Sequence, residues 1–576
     1  MANTPRVPDA ASSDAQAAGS TAKPRKRRLG EVLIQRSQLT PRQLEIALEE
    51  QKQDHRPLGE LLVALGFVRP TEIAALVAED MGLRLATASE VIPDRALIAA
   101  LDEGLVRSAK ALPVARTEAG LRVLMVDPSD PAKLSTLRQY FRCDVEVEMV
   151  TEEDFARLYR ECFGDRSKHP ARLAAEASEG GGATRPIEQI TEAILVDGIR
   201  QGATDIHFHP SEVVTRLRYR LDGVLRQIEV LPRDITGAIT SRIKIMAALD
   251  ISERRMPQDG RIRLEVDGRQ VDLRVSTMPC AFGESIVLRV LDRGSASVPL
   301  QELGLRGEDC ETLKAIADRP HGLFLVTGPT GSGKTTTLYS TLAHVDALHR
   351  NVATIEDPIE SQLPFVRQSQ VDATIGFSFD VGLRALLRQD PDVILVGEIR
   401  DLETAGMAIK ASMTGHLVFS TLHTNTAIGA VSRLADMGVA PYLVEDCLVG
   451  VLGQRLVRRL CGNCVEWTAA LGDEVAWLDG SDALIPRAVG CERCGGTGYS
   501  GRTVIAELFQ PTAATGQLIR EGATASVIEA QACLGGYTGL IEDGRRKVLA
   551  GLTTIEEVER CGGRPPSLED RLNDVA

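Results

Sequence analysis

Residues 328–335 read GPTGSGKT and fill each fixed position of the nucleotide-binding P-loop pattern. Gly328, Gly331 and Gly333 allow backbone conformations closed to bulkier residues, so successive N–H groups can turn toward a phosphate at the start of a helix. Pro329, Thr330, Ser332 and Thr336 complete the stretch expected to wrap ATP. Lys334 supplies a point charge for the outer phosphates, and the Thr335 hydroxyl is a ligand for the accompanying Mg2+. A second chemistry is carried by Cys461-Gly-Asn-Cys464 and Cys491-Glu-Arg-Cys494, two short chelating loops of the kind that holds tetrahedral Zn2+. With all four positions filled by thiolates, the expected zinc is structural.

These groups need a scaffold. The apolar run 323–326 reads as a buried parallel strand feeding the P-loop. Further strand-like runs at 351–355, 393–396 and 417–421 end in Glu356-Asp357-Pro358, Gly397-Glu398 and a segment containing His423, where an open parallel sheet presents its ligands. Helical stretches alternate with them, which predicts an α/β, RecA-like doubly wound sheet. Glu398 is expected to orient the attacking water. Glu356 and Asp357 either hold magnesium-bound waters or, for Asp357, cap the turn at Pro358. His416 and His423 flank one strand, as core residues or as a sensor of the γ-phosphate. Arg384 and Arg388, four apart on one helical face, either reach a neighbouring subunit's nucleotide or pair with surface acids.

At 576 residues several domains are expected. The net charge of −14 argues against a broad nucleic-acid grip. No apolar run approaches the length of a membrane span, and the two CxxC pairs among eleven cysteines suit a reducing compartment. Residues 1–27, rich in Ala, Ser and Pro, read as a disordered tail. A repeat occupies 28–82: RLGEVLIQRSQLTPRQLEIALEEQ aligns without a gap on PLGELLVALGFVRPTEIAALVAED, and Thr40 and Thr71 are expected to cap a second helix in each unit. An α/β adaptor is expected over 83–164, a linker over 165–185, a smaller α/β domain over 186–295, the ATPase domain over 296–563 with its zinc element at 456–500, and a tail over 564–576. In the smaller domain, strict alternation puts Arg216, Arg218 and Arg220 on one strand face, either solvated or turned to phosphate, and Asp222-Gly223 and Asp267-Gly268 offer tight turns.

The run from GPTGSGKTTTLY through IEDPIE, LRALLRQDPDVILVGEIRD and TGHLVFSTLHTN resembles the Walker A, Asp box, Walker B and His box of the bacterial type II secretion and type IV pilus assembly ATPases. The likeness covers most of 187–563, including TDIHFHP, RYRLDGVLR, PQDGR and the twin CxxC. It implies a homohexamer with nucleotide held between neighbouring chains, and a smaller PAS-like domain whose Arg218 and Arg233 act in trans. It further implies a cytoplasmic enzyme, peripheral at the inner membrane through platform and assembly proteins, with no nucleic-acid partner. The cargo is a pseudopilus of type II secretion or, alternatively, a type IV pilus. The repeat resembles the N-terminal domain that binds cyclic di-GMP in such ATPases, with Pro57 and Asp80 standing where the motif has Arg and Gln. A nucleic-acid translocating motor and a non-hydrolysing nucleotide sensor are the other classes compatible with a P-loop.

Overall fold

The structure, a computed structural model, describes residues 29–163 and 187–563 apart from positions 37, 89, 92, 100, 102, 118, 119, 267, 268, 293–297 and 482. The two expected tails, the linker and the Asp267-Gly268 turn therefore lie outside the described residues. The chain divides after Phe163 into two compact units.

In the first unit the tandem repeat folds as two helical hairpins, Leu29–Gln35 with Pro41–Glu50 and Leu58–Ala64 with Pro70–Asp80. Leu33, Leu39 and Ala47 of one repeat, and the equivalent Leu62, Val68 and Leu76 of the other, are buried in a single core. Each hairpin thus supplies half of an interior that neither closes alone. Thr40 caps its helix as expected, its hydroxyl accepting from the Gln43 N–H at 3.2 Å. The second hairpin corrects the expectation. Arg69 holds the cap position, its N–H donating to Glu72 at 2.9 Å, and Thr71 lies inside the helix. Proline takes the first helical position in both hairpins, so the cap falls on whatever residue precedes it. The rest of the unit carries a four-stranded sheet, β1 (Leu85–Ala86), β2 (Ala111–Arg116), β3 (Leu121–Met125) and β4 (Val145–Val150), in the order β1-β4-β3-β2.

The second unit holds two larger sheets. The first is wholly antiparallel and comprises β5 (Asp205–Pro210), β6 (Val214–Leu221), β7 (Val224–Pro232), β8 (Gln258–Val266), β9 (Arg269–Cys280) and β10 (Gly283–Asp292), ordered β7-β6-β5-β10-β9-β8. The helices Ile187–Arg200 and Arg233–Met246 cover one face over Ile206, Leu217, Tyr219 and Leu288. Alternation sends the polar set to the other face, with Asp205 in register with Arg220 and Arg289, His207 with Arg218, and Arg289 with Arg274. Asp222 and Gly223 turn between β6 and β7 with φ of 48° and 79°, the left-handed pair that a two-residue hairpin needs.

The second sheet comprises β11 (Gly322–Thr327), β12 (Val352–Glu356), β13 (Arg367–Gln370), β14 (Val393–Val396), β15 (Leu417–Leu422), β16 (Leu448–Leu460) and β19 (Tyr499–Phe509), ordered β13-β12-β14-β15-β11-β16-β19. All neighbours run parallel except β16 and β19. Strands β11, β12, β14 and β15 are buried from end to end, which is why they read as apolar runs rather than as alternation. A separate hairpin of β17 (Val465–Ala469) and β18 (Leu484–Ala488) carries the cysteine loops. The two large sheets meet at the carboxyl edge of the parallel one. There Pro358, Glu360 and Gln370 share a small cavity with Arg261, Asp272 and Arg274, and Asp222 lies 3.8 Å from Arg502 of β19.

Candidate active site

Gly328, Gly331 and Gly333 take φ of 150°, 78° and 88°, conformations that a side chain resists, and at Gly328 a Cβ would sit 2.5 Å from the Gln454 carbonyl oxygen. Lys334 opens the helix Lys334–Leu342. Its Nζ donates to the carbonyls of Gly328 at 2.8 Å and Pro329 at 3.2 Å, so the ammonium is folded into the loop. Burial lowers its pKa to about 8, a fall that Glu398 opposes and Arg455 deepens. A cation so desolvated favours any anion that enters the loop.

Glu398 stands just past β14, and its carboxylate pairs with Arg400 while lying 3.5 Å from His423 Nε2. Burial and the Lys334 charge push the His423 pKa below its ordinary value, against the pull of Glu398. Lys334, Glu398 and His423 are thereby brought to one place, as expected from the ends of β14 and β15. Gly397 has a packing reason: a Cβ there would lie 3.3 Å from Glu356 Cα and from the Ile355 carbonyl oxygen.

Other expected residues are placed differently. Glu356 is only 3 % exposed, and its carboxylate accepts from Tyr339 Oη, from Thr354 Oγ1 at 2.5 Å and from Gln368 Nε2 at 3.1 Å. Three neutral donors hold it in a network that ties β12 and β13 to the helix that Lys334 opens, whereas Asp357 beside it is exposed. His416 sits at the opposite end of β15 from His423, where its Nδ1 donates to the Ala411 carbonyl at 2.9 Å, so it closes the preceding helix and takes no part in the site. Arg384 pairs with the surface acids Glu403 at 3.0 Å and Asp380 at 3.4 Å, whereas Arg388 donates to the Arg384 carbonyl at 2.9 Å. Arg233, exposed at the start of its helix, donates to the Ser211 carbonyl at 2.9 Å and to that of Glu212, with its guanidinium over Phe282. Arg218 is half-buried beside His207, on the face whose Arg274 and Arg289 act electrostatically on Glu360 of the same chain.

Sequence reasoning missed β16. Gln454 is wholly buried there, donating through Nε2 to the Ser332 carbonyl at 2.8 Å and accepting from Thr337 Oγ1 at 2.9 Å. Arg455 next to it donates to the Asn425 carbonyl at 2.7 Å. The signal was a Gln-Arg pair set inside the otherwise apolar run 448–457, an expensive place for polar groups that lack a partner.

The four cysteines converge. Sγ separations are 3.9 Å for Cys461 and Cys491, 3.8 Å for Cys464 and Cys494, and 3.8 Å for Cys491 and Cys494, with all four atoms within 4.8 Å of one another. Zinc–sulfur bonds of about 2.3 Å in a tetrahedron require sulfur pairs about 3.8 Å apart. The donor set therefore fits zinc, closed on all sides and structural.

A parallel sheet ending in a P-loop, with an acid and a histidine converging on its lysine, defines a RecA-like P-loop ATPase. Residues 182–560 match the family described as Type II/IV secretion system protein, and the chain belongs to that family. Residues 81–169 match the MshEN domain, just beyond the tandem repeat rather than on it. The Type II secretion system protein E of Pectobacterium carotovorum is 42 % identical over 471 residues, spanning 77 % of this chain and 93 % of that protein. The Type IV pilus assembly ATPase PilB of Myxococcus xanthus is 36 % identical over 556 residues, spanning 92 % and 98 %. Among solved structures, the ATPase DotB of Legionella pneumophila superposes with a TM-score of 0.50 at 21 % identity, covering 66 % of this chain and 97 % of that one, a likeness of fold.

Metal analysis of the purified chain is expected to find one zinc per molecule. Replacing Cys461 and Cys491 together by Ser should lower that to near zero and reduce the melting temperature, because the closed site contributes folding energy outright.

Proposed function

We propose that this ATPase drives type II protein secretion, working as a homohexamer at the cytoplasmic face of the inner membrane. The observation that carries this reading is the match to proteins named for type II secretion along more than three quarters of the chain. Pilus assembly is the second reading, favoured by the near full-length match to a pilus assembly ATPase. Among the described residues no helix is long and apolar enough to cross a membrane, so partners would bring the chain to its platform.

In this mechanism the N–H groups after Gly328, Gly331 and Gly333 bind the phosphates of ATP, with Pro329, Thr330, Ser332 and Thr336 shaping the loop. Gln454 keeps the loop in form by holding Ser332 from beneath. The Lys334 ammonium exchanges its two carbonyl partners for phosphate oxygens. Thr335 would hold Mg2+, which would supply charge neutralisation on those oxygens. Glu398 accepts a proton from the attacking water and orients it, while His423, kept neutral by burial and by Lys334, senses whether the γ-phosphate is present. Glu356 acts by fixing the helix that Lys334 opens, through Tyr339. Arg218 and Arg233 are assigned to the developing charge, supplied in trans by the smaller domain of a neighbouring chain, and the repeat at 28–82 to cyclic di-GMP.

Steady-state phosphate release should fall by about a hundredfold or more in Glu398→Gln with ATP binding retained, and in Lys334→Ala with binding lost; a Glu398→Gln chain at the parental rate removes that role. The choice of machine is read by affinity purification from the source cells, where an inner-membrane platform protein encoded beside secretin or pilin genes is expected, and recovery of neither counts against both readings. Calorimetric titration of the full chain with cyclic di-GMP should give saturable heat that Leu33→Asp abolishes, and a flat titration ends that assignment.

A further inference from the structure

His423 opens the loop that leaves β15, in which His423, Asn425 and Thr426 are exposed and Ala427 is buried. An exposed loop keeps one shape only where its backbone is fastened. Near its start the Thr424 N–H donates at 2.9 Å to Thr327 Oγ1, at the end of the strand that feeds the P-loop. In its middle the Asn425 carbonyl accepts from Arg455 at 2.7 Å. At its far end the Ala427 N–H donates to Glu507 Oε1 at 2.6 Å. Glu507 stands on β19, and the mechanism above makes no use of it.

Glu507 is 3 % exposed, and its other oxygen, Oε2, accepts at 3.1 Å from the Leu540 N–H, the first residue of the helix Leu540–Leu549. Burial pushes the Glu507 carboxyl up, and the Ala427 N–H, the Tyr537 hydroxyl and the Leu540 N–H act against that rise. A carboxylate accepts at both oxygens, whereas a glutamine has one acceptor and would turn its NH2 toward one of the two N–H groups. Holding both segments from one side chain therefore requires the acid. Its place is kept open by Gly453, opposite it on β16, where a Cβ would lie 2.8 Å from Glu507 Oε1 and 3.0 Å from the Ala427 nitrogen. The P-loop is braced by other groups, Gln454 on Ser332 and on Thr337, so the loop of His423 and the phosphate cradle are fastened independently.

We propose that Glu507 is a positioning residue for ATP hydrolysis: by holding the Ala427 N–H it fixes the loop after β15, so that His423 stands beside Glu398 where the γ-phosphate arrives. The proposal rests on the assignment of His423 as the γ-phosphate sensor. Glu507 then acts on turnover and on the distinction between ATP and ADP. The grip on the phosphates that both nucleotides share is left to the P-loop.

The test is ATP turnover by the full-length chain, with Kd measured for ADP and for a non-hydrolysable ATP analogue, and with melting temperature and assembly recorded alongside. Glu507→Gln, which takes away one acceptor, and Gly453→Ala, which keeps the carboxylate and presses a methyl group on it, should each lower kcat about tenfold. Each should weaken the analogue about tenfold while the Kd for ADP stays within about threefold. His423→Ala should show the same pattern, and adding Glu507→Gln to it should cost at most about a further twofold, because both act through one side chain. A residue that only supports the fold would slow the His423→Ala chain by its own full factor. Parental turnover by Glu507→Gln, equal weakening of ADP and analogue, a full second loss in the double variant, or loss of the folded assembly in both single variants overturns the proposal. With His423→Ala slow, each of these leaves the sensor assignment standing. A His423→Ala chain that matches the parent removes that assignment and this proposal with it.

Discussion

The second unit is arranged around one desolvated cation. Lys334 is taken out of water at the start of a buried helix and left with two neutral carbonyl oxygens as partners. A charge held that way is a standing demand for an anion, and the demand is specific because the surrounding N–H groups are fixed by glycines in left-handed conformations. The rest of the nucleotide site can be derived from this constraint. Gln454 and Thr337 brace the loop from below, Glu398 and His423 stand at the ends of neighbouring strands, and Arg455 raises the cost of the cation further.

The acids divide by environment, although they end neighbouring strands of one sheet. Glu398 remains partly open, faces a histidine and an arginine, and so keeps a lone pair for solvent. Glu356 is sealed among Tyr339, Thr354 and Gln368, which makes it a structural fastening for the P-loop helix. The same division separates the histidines, His423 at the carboxyl end of β15 and His416 at its start. Position relative to the sheet's carboxyl edge decides which group meets the ligand.

The antiparallel domain adds the charge that the P-loop domain lacks. In a chain of net charge −14, its open sheet face gathers Arg216, Arg218, Arg220, Arg274 and Arg289, tempered by Asp205 and Asp272. That face meets the carboxyl edge of the parallel sheet through exposed, water-accessible contacts, so association there is cheap to reverse. Reversibility is what a machine needs if nucleotide turnover is to move one domain against another. The tetracysteine element lies outside this traffic, closed on itself by four thiols and fitted to hold a fold rather than a substrate.

The sequence alone determined the parts whose chemistry is local. A P-loop needs its glycines, lysine and hydroxyl in consecutive positions, a zinc knuckle needs its cysteines three apart, and a strand buried on both faces reads as a largely apolar run, so residues 328–335, the CxxC pairs and β11, β12, β14 and β15 were legible without coordinates. The repeated hairpins were equally plain, because equivalent core positions recur in register. What only the tertiary structure decided were relations between distant segments: that Gln454, more than a hundred residues on, braces Ser332; that Arg233 meets the Ser211 carbonyl; that Glu356 is sealed; and that Arg69, not Thr71, caps its helix. The physical reason is common to all of them. Residue type and spacing specify what a side chain is able to do, whereas burial, register and the partner it meets are set by how sheets and loops far apart in the chain close on one another.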